Sequence, residues 1–366
     1  GNPLFAEEMV RMLVDRGTIR FSDGRWQLAR PVDEVEIPGS VQAVLAARLD
    51  ALPENEKRIA QDAAVIGRVF WDQLVAHITR DDLGKTAERI RRLRVKDLIV
   101  PREPSSLAGA AEFGFRHVLI RDVAYESLPK RDRAVLHREI AEWAERELAD
   151  RTEEFAELIA SHLAAAVAYE EEFDLEGGED LQELRRHAFE AARRAARRAW
   201  AVSQLGAAHR WQTAAIDLAW KIGIPPRDIA TQALEYAEIG WLVGSENQQA
   251  AVARRALEAM LALPEQDQAD VETIARLRGM LGSALFHEGD VEAARATLRE
   301  GLAQLGDPDE SAVRAHLNSV LGWTYWRAGT VEEAVPILEA SVAEAEAVDD
   351  QRTLRWANHD LGVALG

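Results

Sequence analysis

A phosphate-binding loop is the first chemistry that this chain suggests, because Leu83-Gly84-Lys85-Thr86 ends as such a loop does. The full pattern GxxxxGK[ST] also needs a glycine at position 79, where this chain has Thr79. The segment follows Arg80-Asp81-Asp82 instead of an apolar strand. We therefore predict a charged turn that caps the next helix, and the chain contains no Walker motif.

Hydrolytic and metal chemistry require residue patterns that this chain lacks. Its nine histidines form no H-x-x-x-H pair with a following acid, G-x-S-x-G does not occur, and there is no cysteine. Pairs of Asp and Glu are frequent, but in a chain of this composition we expect them on solvated helix faces. We predict no catalytic residue and no metal site, so this chain by itself is not expected to be an enzyme.

One basic cluster is a candidate partner-binding surface. Arg193, Arg194, Arg197 and Arg198 share one face of a helix, because they are spaced i, i+1, i+4 and i+5. Contact with nucleic acid or an acidic partner is one interpretation. Pairing with the acidic stretch at residues 170–180, or with a neighbouring helix, is the interpretation that the charge pattern favours.

An aromatic cluster is the second candidate surface for a partner. The chain has ten tryptophans, and Trp323 and Trp326 flank Tyr325 near the C-terminus. Aromatic side chains at this spacing suit a peptide-binding groove. In stacked helical hairpins they more often fill the core between units, and we keep both interpretations.

The charge of the chain restricts its partners and its surroundings. The net charge is −19, from 63 acidic and 44 basic side chains, which disfavours nucleic acid and anionic membranes. The apolar run at residues 158–169 is too short to span a bilayer, and no signal peptide precedes it. We therefore expect a cytoplasmic location and no membrane contact.

The elements that must position these residues are mostly helical, since Ala, Leu, Glu and Arg dominate and proline occurs only 12 times. Two β-hairpins are predicted, at residues 19–28 and 98–115. Between them we predict helices that begin after Ser40, after Pro53, near Trp71 and near Thr86. Several helices followed by a hairpin are the order of a winged-helix domain.

An internal repeat of 40 residues is the best-defined pattern in the chain. Leu281-Gly282, Leu321-Gly322 and Leu361-Gly362 recur at this spacing, and Ile239-Gly240 suggests an earlier copy offset by 42. Small residues allow two antiparallel helices to approach closely, and large residues fill the groove to the next unit. The pattern is similar to that of tetratricopeptide (TPR) repeats, although the unit is longer than the usual length of about 34 residues.

These patterns predict a mainly α fold in three parts. Residues 1–38 form a helical segment and a hairpin, residues 39–150 a winged-helix domain with small β-hairpins, and residues 151–366 an α-α superhelix of TPR-like repeats. The abrupt helix at the start and the incomplete repeat at the end suggest that both ends are cut from a longer protein.

Three segments in order carry a family resemblance: residues 1–13, 37–70 and 113–145. Followed by TPR-like repeats, they resemble the downstream half of bacterial STAND-type ATPases. The resemblance is closest to multidomain proteins in which such an ATPase follows an adenylate/guanylate cyclase domain. Large LuxR-type transcription regulators share a similar ATPase-plus-repeat body. The nucleotide-binding domain and its P-loop would then lie upstream of this chain.

The resemblance implies two nucleotide-contacting residues. In the family, G-x-P follows the nucleotide-binding domain and its proline lies near the adenine; Gly1-Asn2-Pro3 matches this motif. A histidine after the wing strand approaches the β-phosphate of ADP, and His117 stands at the matching position. Many relatives have an acidic residue next, where this chain has Val118. A helix-starting proline and a buried structural histidine are the alternatives.

The expected function is therefore sensing and regulation. The repeat array would bind a protein partner or small ligand, and the winged helix would relay binding to an ATP/ADP switch and an output domain such as a nucleotide cyclase. This chain alone should hold no cofactor; ATP or ADP is expected in the full-length protein. One alternative is a DNA-binding regulator that uses a basic helix containing Arg89, Arg91, Arg92, Arg94 and Lys96. The other is a TPR scaffold without a nucleotide switch.

Overall fold

The computed structural model describes residues 3–15, 17–22, 25–29, 39–173, 178–243, 246–306 and 311–366. The chain divides into two compact units, Gly1–Leu184 and Arg185–Gly366, which we describe separately. The mainly α fold is confirmed, because helices account for most of the described residues. The predicted domain boundaries after residues 38 and 150 stay predictions.

The first unit begins with helix α1 and an exposed hairpin. Helix α1 (Pro3–Asp15) packs against α2 (Val41–Asp50). Strands β1 (Ile19–Ser22) and β2 (Arg25–Leu28) pair antiparallel, as the sequence predicts. Gly1 and Asn2 of the predicted motif, and the segment at residues 30–38, lie outside the described residues.

The centre of the first unit combines helices with a three-stranded antiparallel sheet in the order β3-β5-β4. The helices are α2, α3 (Glu54–Ile66), α4 (Asp72–Thr79) and α5 (Leu83–Val95). The strands are β3 (Val69–Trp71), β4 (Ile99–Arg102) and β5 (Glu112–Phe115). The hydroxyl of Ser40 accepts a hydrogen bond from the Ala43 N–H and caps α2, which confirms the predicted start. The Asp82 carboxylate accepts hydrogen bonds from the N–H groups of Gly84 and Lys85 and caps α5. The segment that resembles the end of a phosphate-binding loop is therefore the start of this helix.

Strand β3 is missing from the sequence-based prediction. It pairs with β5 so that Phe70 lies opposite Phe113, and the Phe70 ring also contacts Phe115 with 5.5 Å between centroids. A strand of three residues is too short to produce an alternating pattern, which is why the sequence did not reveal it.

Three helices complete the first unit, and α7 packs on both α3 and α8. They are α6 (Val118–Glu126), α7 (Lys130–Glu147) and α8 (Ala156–Phe173). Helix α9 (Glu179–Ala201) crosses the division between the two units.

The second unit is built from consecutive antiparallel helices. After α9 come α10 (Leu205–Lys221), α11 (Pro226–Val243), α12 (Glu246–Leu261), α13 (Val271–His287), α14 (Val291–Gln304), α15 (Ala312–Arg327), α16 (Val331–Ala347) and α17 (Gln351–Leu365). Each helix from α10 to α17 contacts the next, and α11, α13, α15 and α17 also contact one another in series. This is the packing of stacked helical hairpins.

Two of the repeated glycines, Gly282 and Gly322, lie where the two helices of a hairpin approach closely. A Cβ added to Gly282 would be 2.6 Å from Cγ of Leu298, and one added to Gly322 would be 2.6 Å from Cγ of Leu338. The 40-residue spacing therefore reproduces one physical contact, between the two helices of a hairpin. A Cβ added to the equivalent Gly362 would meet no atom within 4 Å, and the side chains of Ile239-Gly240 lie outside the described residues.

Candidate functional site

His117 lies at the junction of β5 and α6. It is the N-cap residue of α6, with φ −131° and ψ 143°, and its side chain makes no hydrogen bond to the first turn of that helix. The imidazole is exposed, as is Val118 after it. His117 is therefore exposed in this chain, which does not fit the alternative of a buried structural histidine at this position. The first-turn N–H groups of a helix favour a nearby anion. The contact of His117 with a β-phosphate stays a prediction.

Pro3 is the first residue of α1, where its fixed φ suits a helix start. The structure therefore accounts for Pro3 as a helix-starting residue, and its predicted contact with adenine stays a prediction. Gly1 and Asn2 of the same motif are outside the described residues.

Asp97 joins α1 to the residue that precedes His117. Its Oδ2 accepts a hydrogen bond from Arg11 of α1 at 2.5 Å, and its Oδ1 accepts one from Arg116 at 3.1 Å. Asp97 follows α5 with φ +58°, a left-handed conformation that directs the chain into β4. We call Arg11, Asp97 and Arg116 the Asp97 bridge. It connects the helix that carries Pro3 with the strand end that carries His117.

A buried arginine makes a second connection to α1. Arg48 of α2 is 4% exposed and forms an ion pair with Glu8, which is 1% exposed. Its Nε donates to Asp15 Oδ2 at 3.0 Å, and its Nη2 donates to the Lys96 carbonyl at 2.8 Å. Removing one member of such a buried pair leaves an uncompensated charge, which costs about 3–5 kcal/mol. Arg48 therefore fixes α1 against α2 and the end of α5.

Neither the Asp97 bridge nor the Arg48 pair could be foreseen from the sequence. Arg11 and Asp97 are 86 residues apart, and Arg48 and Glu8 are 40 apart. A single charged residue on an otherwise apolar helix face, such as Arg48 between Leu45 and Leu49, is the one signal that could have pointed to a buried ion pair.

A chain of hydrogen bonds runs through the first unit. His137 Nδ1 lies 2.7 Å from His162 Nδ1, and His137 Nε2 lies 2.9 Å from the Tyr125 hydroxyl. The Tyr125 hydroxyl is 2.8 Å from that of Tyr169, which also accepts from Arg133 Nη1 at 3.2 Å. We call this set the histidine–tyrosine chain. It links α6, α7 and α8.

The donors of this chain can be assigned by elimination. A ring N–H of His162 donates a hydrogen bond to the backbone carbonyl of Ile66, the last residue of α3. A neutral His162 must then accept at Nδ1, so His137 donates from Nδ1 and accepts the Tyr125 proton at Nε2. In this arrangement every ring nitrogen of the two neutral imidazoles has a hydrogen-bond partner.

The surroundings favour these neutral forms. Burial is the main cause that lowers the pKa of His137 to about 3. The neighbouring His162 and the guanidinium groups of Arg121 and Arg133 act in the same direction. Burial also lowers the pKa of His162 to about 4, although its hydrogen bond to Ile66 acts in the opposite direction. The guanidinium carbons of Arg121 and Arg133 each lie 4.6 Å from the centre of the Tyr125 ring. At neutral pH both imidazoles are therefore uncharged, and the histidine–tyrosine chain is a structural contact of the first unit.

In the second unit, Tyr325 belongs to the core between repeats. It is 9% exposed, and the guanidinium carbon of Arg295 lies 3.8 Å from the centre of its ring. Its hydroxyl accepts a hydrogen bond from Arg299. Trp326 is half-buried and packs against the same core.

Trp323 contacts the preceding repeat. Its ring is 4.6 Å from that of Phe286 and 5.1 Å from that of His287, both on α13. The structure therefore places Trp323, Tyr325 and Trp326 mainly in contacts between helices of the array. Their role in binding a partner stays a prediction.

The basic cluster lies on the polar side of α9. Arg193 and Arg194 are half-buried, and Arg197 and Arg198 are exposed, whereas Ala192, Ala195 and Ala196 are buried. The guanidinium carbon of Arg193 lies 5.6 Å from the centre of the Phe189 ring, one turn earlier. Residues 174–177 of the acidic stretch lie outside the described residues, so the expected pairing with it stays a prediction.

The basic helix of the DNA-binding alternative is α5, and four of its five named cations, all except Arg94, have carboxylate partners within the first unit. Arg91 and Arg92 pair with Glu88, and Arg89 pairs with Asp81. Lys96 donates to the buried Glu56 at 2.7 Å. Cations that already have carboxylate partners would have to exchange them for phosphates, so the geometry does not favour direct DNA binding by α5.

No family model matches this chain, and no curated protein matches it. Several solved structures are similar at low identity. BtubC (BKLC) from P. vanneervenii is 17% identical over 61% of this chain and 93% of that chain, with a TM-score of 0.36. A Rap protein, solved in complex with competence and sporulation factor, is 15% identical over 86% of this chain and 79% of that chain, with a TM-score of 0.36.

A Signal Transduction ATPase with Numerous Domains (STAND), which has a tetratricopeptide repeat sensor, is similar over a longer stretch. This protein from Pyrococcus horikoshii is 12% identical, with a TM-score of 0.38. The match covers 98% of this chain and 58% of that chain, so the present chain spans little more than half of its length. At these scores, the assignment of a TPR-like repeat depends on the stacked hairpins and glycine contacts described above.

Within the described ranges, none of the helices has the length and apolar character needed to cross a bilayer. Those same ranges hold no cluster of three or more His, Cys, Asp or Glu side chains arranged to bind a metal ion.

Proposed function

We propose that this chain is the regulatory part of a STAND-type signalling ATPase. In this proposal, residues 39–150 form a winged-helix domain that closes on ADP or ATP held by an upstream nucleotide-binding domain. The repeat array in residues 151–366 binds a protein or peptide partner. Partner binding shifts the population between closed and open forms and so controls an output domain, such as a nucleotide cyclase.

The observation that carries the proposal is the Asp97 bridge. The resemblance implies that Pro3 contacts adenine and that His117 contacts phosphate, and these residues are far apart in sequence. Arg11 and Arg116 hold the two elements that carry them to the same carboxylate. A bound nucleotide that touches both residues would therefore meet a prearranged pair of contacts.

The first test is the nucleotide content of the longest native chain that contains these residues. We expect ADP or ATP to be released on denaturation of the purified protein. His117→Asn should lower the retained nucleotide by about tenfold, the effect of losing one charge-assisted hydrogen bond of about 1.4 kcal/mol. The nucleotide released per protein molecule is measured by chromatography.

A matched control is His77→Asn, since His77 is also exposed but lies on α4. It should retain as much nucleotide as the wild type. If His117→Asn retains nucleotide as His77→Asn does, His117 has no part in the switch. If titration of the native protein with ATP and ADP also gives no binding, the switch fails and a TPR scaffold without a nucleotide switch is the better account.

A further inference from the structure

One face of α17 is open, whereas the same face of α13 and α15 is covered by the second helix of a hairpin. Gly282 and Gly322 are buried against Leu298 of α14 and Leu338 of α16. The equivalent Gly362 is exposed, and a Cβ added to it would meet no atom within 4 Å. We call this surface the α17 face; its exposed residues are Asn358, Gly362 and Leu365.

The exposure of Leu365 follows the same pattern. Its repeat equivalents Leu285 and Tyr325 are 7% and 9% exposed, whereas Leu365 is 67% exposed. Asn358, Gly362 and Leu365 are spaced i, i+4 and i+7, so they lie on one side of the helix. The same repeat position is therefore covered in two units and open in the third.

The covering helices α14 and α16 show what fits such a face. In each, an alanine stands four residues before the leucine, as Ala294 does before Leu298 and Ala334 before Leu338. All four side chains are fully buried. A Cβ added to Gly282 would also lie 3.2 Å from the Ala294 carbonyl oxygen, so the two helix backbones approach closely at the alanine. A small residue followed by leucine is therefore the apolar requirement.

A hydrogen bond at one repeat position adds a polar requirement. Arg278 Nη1 of α13 donates to Gln304 Oε1 of α14 at 2.6 Å, and Asn318 Nδ2 of α15 donates to Glu344 Oε2 of α16 at 2.9 Å. In both hairpins the donor stands four residues before the glycine, and the acceptor stands six residues after the leucine. Asn358 is the equivalent donor on the α17 face, and it is exposed.

We propose that the α17 face binds an amphipathic helix of a partner protein, in the position that α14 holds on α13 and α16 holds on α15. This helix carries alanine, leucine four residues later and Gln or Glu six residues after the leucine. Its leucine lies on Gly362, and its acceptor meets Asn358. The proposal rests on the partner-binding role of the repeat array and names the kind of partner.

The occupant is argued from continuity, because the array already forms this interface twice with helices of that pattern. A second copy of this chain is a poorer occupant. The leucines of its own α14 and α16, Leu298 and Leu338, are fully buried within its array and are not free to pack on another molecule.

The test uses the full chain and a fluorescein-labelled peptide with the sequence of residues 290–305, which contains α14. A hydrocarbon staple between the exposed positions 296 and 300 keeps it helical, since an isolated helix of this length is marginal in water. Fluorescence anisotropy should show saturable binding. A peptide with Leu298→Ala should bind at least about tenfold more weakly, because no leucine then fills the space beside Gly362.

Gly362→Leu closes the open position and should weaken peptide binding by at least about tenfold. The melting temperature should stay equal or rise, since leucine has a higher helix propensity than glycine. The matched control is Gly206→Leu, because Gly206 is also an exposed glycine inside a helix, α10, with nothing within 4 Å of an added Cβ. It should bind the peptide as the wild type does.

A double-mutant cycle tests the polar contact. Asn358→Ala should weaken binding several-fold, as should a peptide with Gln304→Ala. The two changes together should cost little more than either alone, because they remove the same hydrogen bond. Fully additive losses would contradict the contact between Asn358 and the acceptor of the helix.

Four results would overturn the proposal: no binding of the stapled peptide, equal binding by Gly362→Leu and Gly206→Leu, self-association, or a covered face. Dimerisation of the chain that Gly362→Leu abolishes would assign the α17 face to a second copy. Binding of the peptide to this chain but not to the longest native chain would show that the face is covered within the protein itself. Failure here is distinguishable from failure of the nucleotide switch, because nucleotide retention is measured without any peptide.

Discussion

At the scale of single residues, the buried pair His137 and His162 is a feature of the first unit that the sequence does not reveal. His137 and His162 are 25 residues apart in sequence, and neither stands in a recognisable motif. Each lies on an apolar helix face, which is the only hint that the sequence contains. Their pairing depends on how α7 packs against α8, and a single sequence does not specify that register.

This pair predicts a loss of stability in mild acid. An unfolded histidine has a pKa near 6.5, whereas burial and nearby guanidinium groups hold the folded values at about 3 for His137 and about 4 for His162. The unfolded state therefore binds protons first, so this stability is complete above about pH 6.5 and is lost as the pH falls below it. Each histidine contributes about 1.4 kcal/mol per pH unit.

Asp62 acts in the opposite direction. Burial, opposed by its hydrogen bond to Arg58, raises the pKa of Asp62 to about 6, so its unfavourable buried charge disappears as the pH falls through that value. From pH 7 to pH 5 we expect a net loss of about 2–3 kcal/mol in the free energy of unfolding. Urea denaturation followed by tryptophan fluorescence at the two pH values measures it.

Two variants separate these contributions. Asp62→Asn removes the opposing effect, so its loss between pH 7 and pH 5 should exceed that of the wild type by about 1 kcal/mol. His77→Asn changes an exposed histidine and should behave as the wild type. Stability that is constant or increases on acidification would show that the two buried histidines are not held neutral.

At the scale of elements, the repeats show how far sequence reasoning reaches. The recurrence of Leu-Gly every 40 residues predicted close helix pairs, and the contacts of Gly282 and Gly322 confirm it. Strand β3 was not predicted, because it exists only through pairing with β5. Periodic features that arise from local packing could be read from the sequence, and features that arise from distant pairing could not.

The glycine contacts predict unequal effects of one substitution. Gly282→Ala and Gly322→Ala would each place a Cβ 2.6 Å from a leucine Cγ, and overpacking of this kind costs about 1–3 kcal/mol. Gly362→Ala meets nothing within 4 Å on α17, so replacing glycine inside that helix should stabilise by about 0.5–1 kcal/mol. Thermal denaturation of the three variants compares the same repeat position in three successive units.

One result would contradict the role given to the repeated glycine. If all three alanine variants shift the melting temperature in the same direction and by the same amount, then close approach of the helices at Gly282 and Gly322 is not what the repeated glycine provides. Helix propensity alone would then explain the pattern.

At the scale of the whole molecule, the sequence indicated a mainly α chain with a sheet-containing first part and a repeat array, and the structure agrees with this. For the candidate site, the sequence indicated His117 and Pro3 through the resemblance, but it did not indicate the residues that connect them. Arg11, Asp97 and Arg116 come from three separate places in the chain, so only the folded protein brings them together.

Whether the Asp97 bridge helps to hold a nucleotide can be measured as the rate of ADP dissociation from the longest native chain. Asp97→Asn removes the charge that joins Arg11 to Arg116, and asparagine tolerates the left-handed backbone at φ +58°. Asp349→Asn is the matched control, because Asp349 also has a left-handed backbone, at φ +53°, but lies in the turn before α17.

We predict that Asp97→Asn releases ADP about tenfold faster than the wild type, which corresponds to about 1.4 kcal/mol, and that Asp349→Asn releases it at the wild-type rate. Equal dissociation rates for Asp97→Asn and the wild type would contradict the claim. The Asp97 bridge would then be a structural contact of the first unit, with no role in retaining the nucleotide.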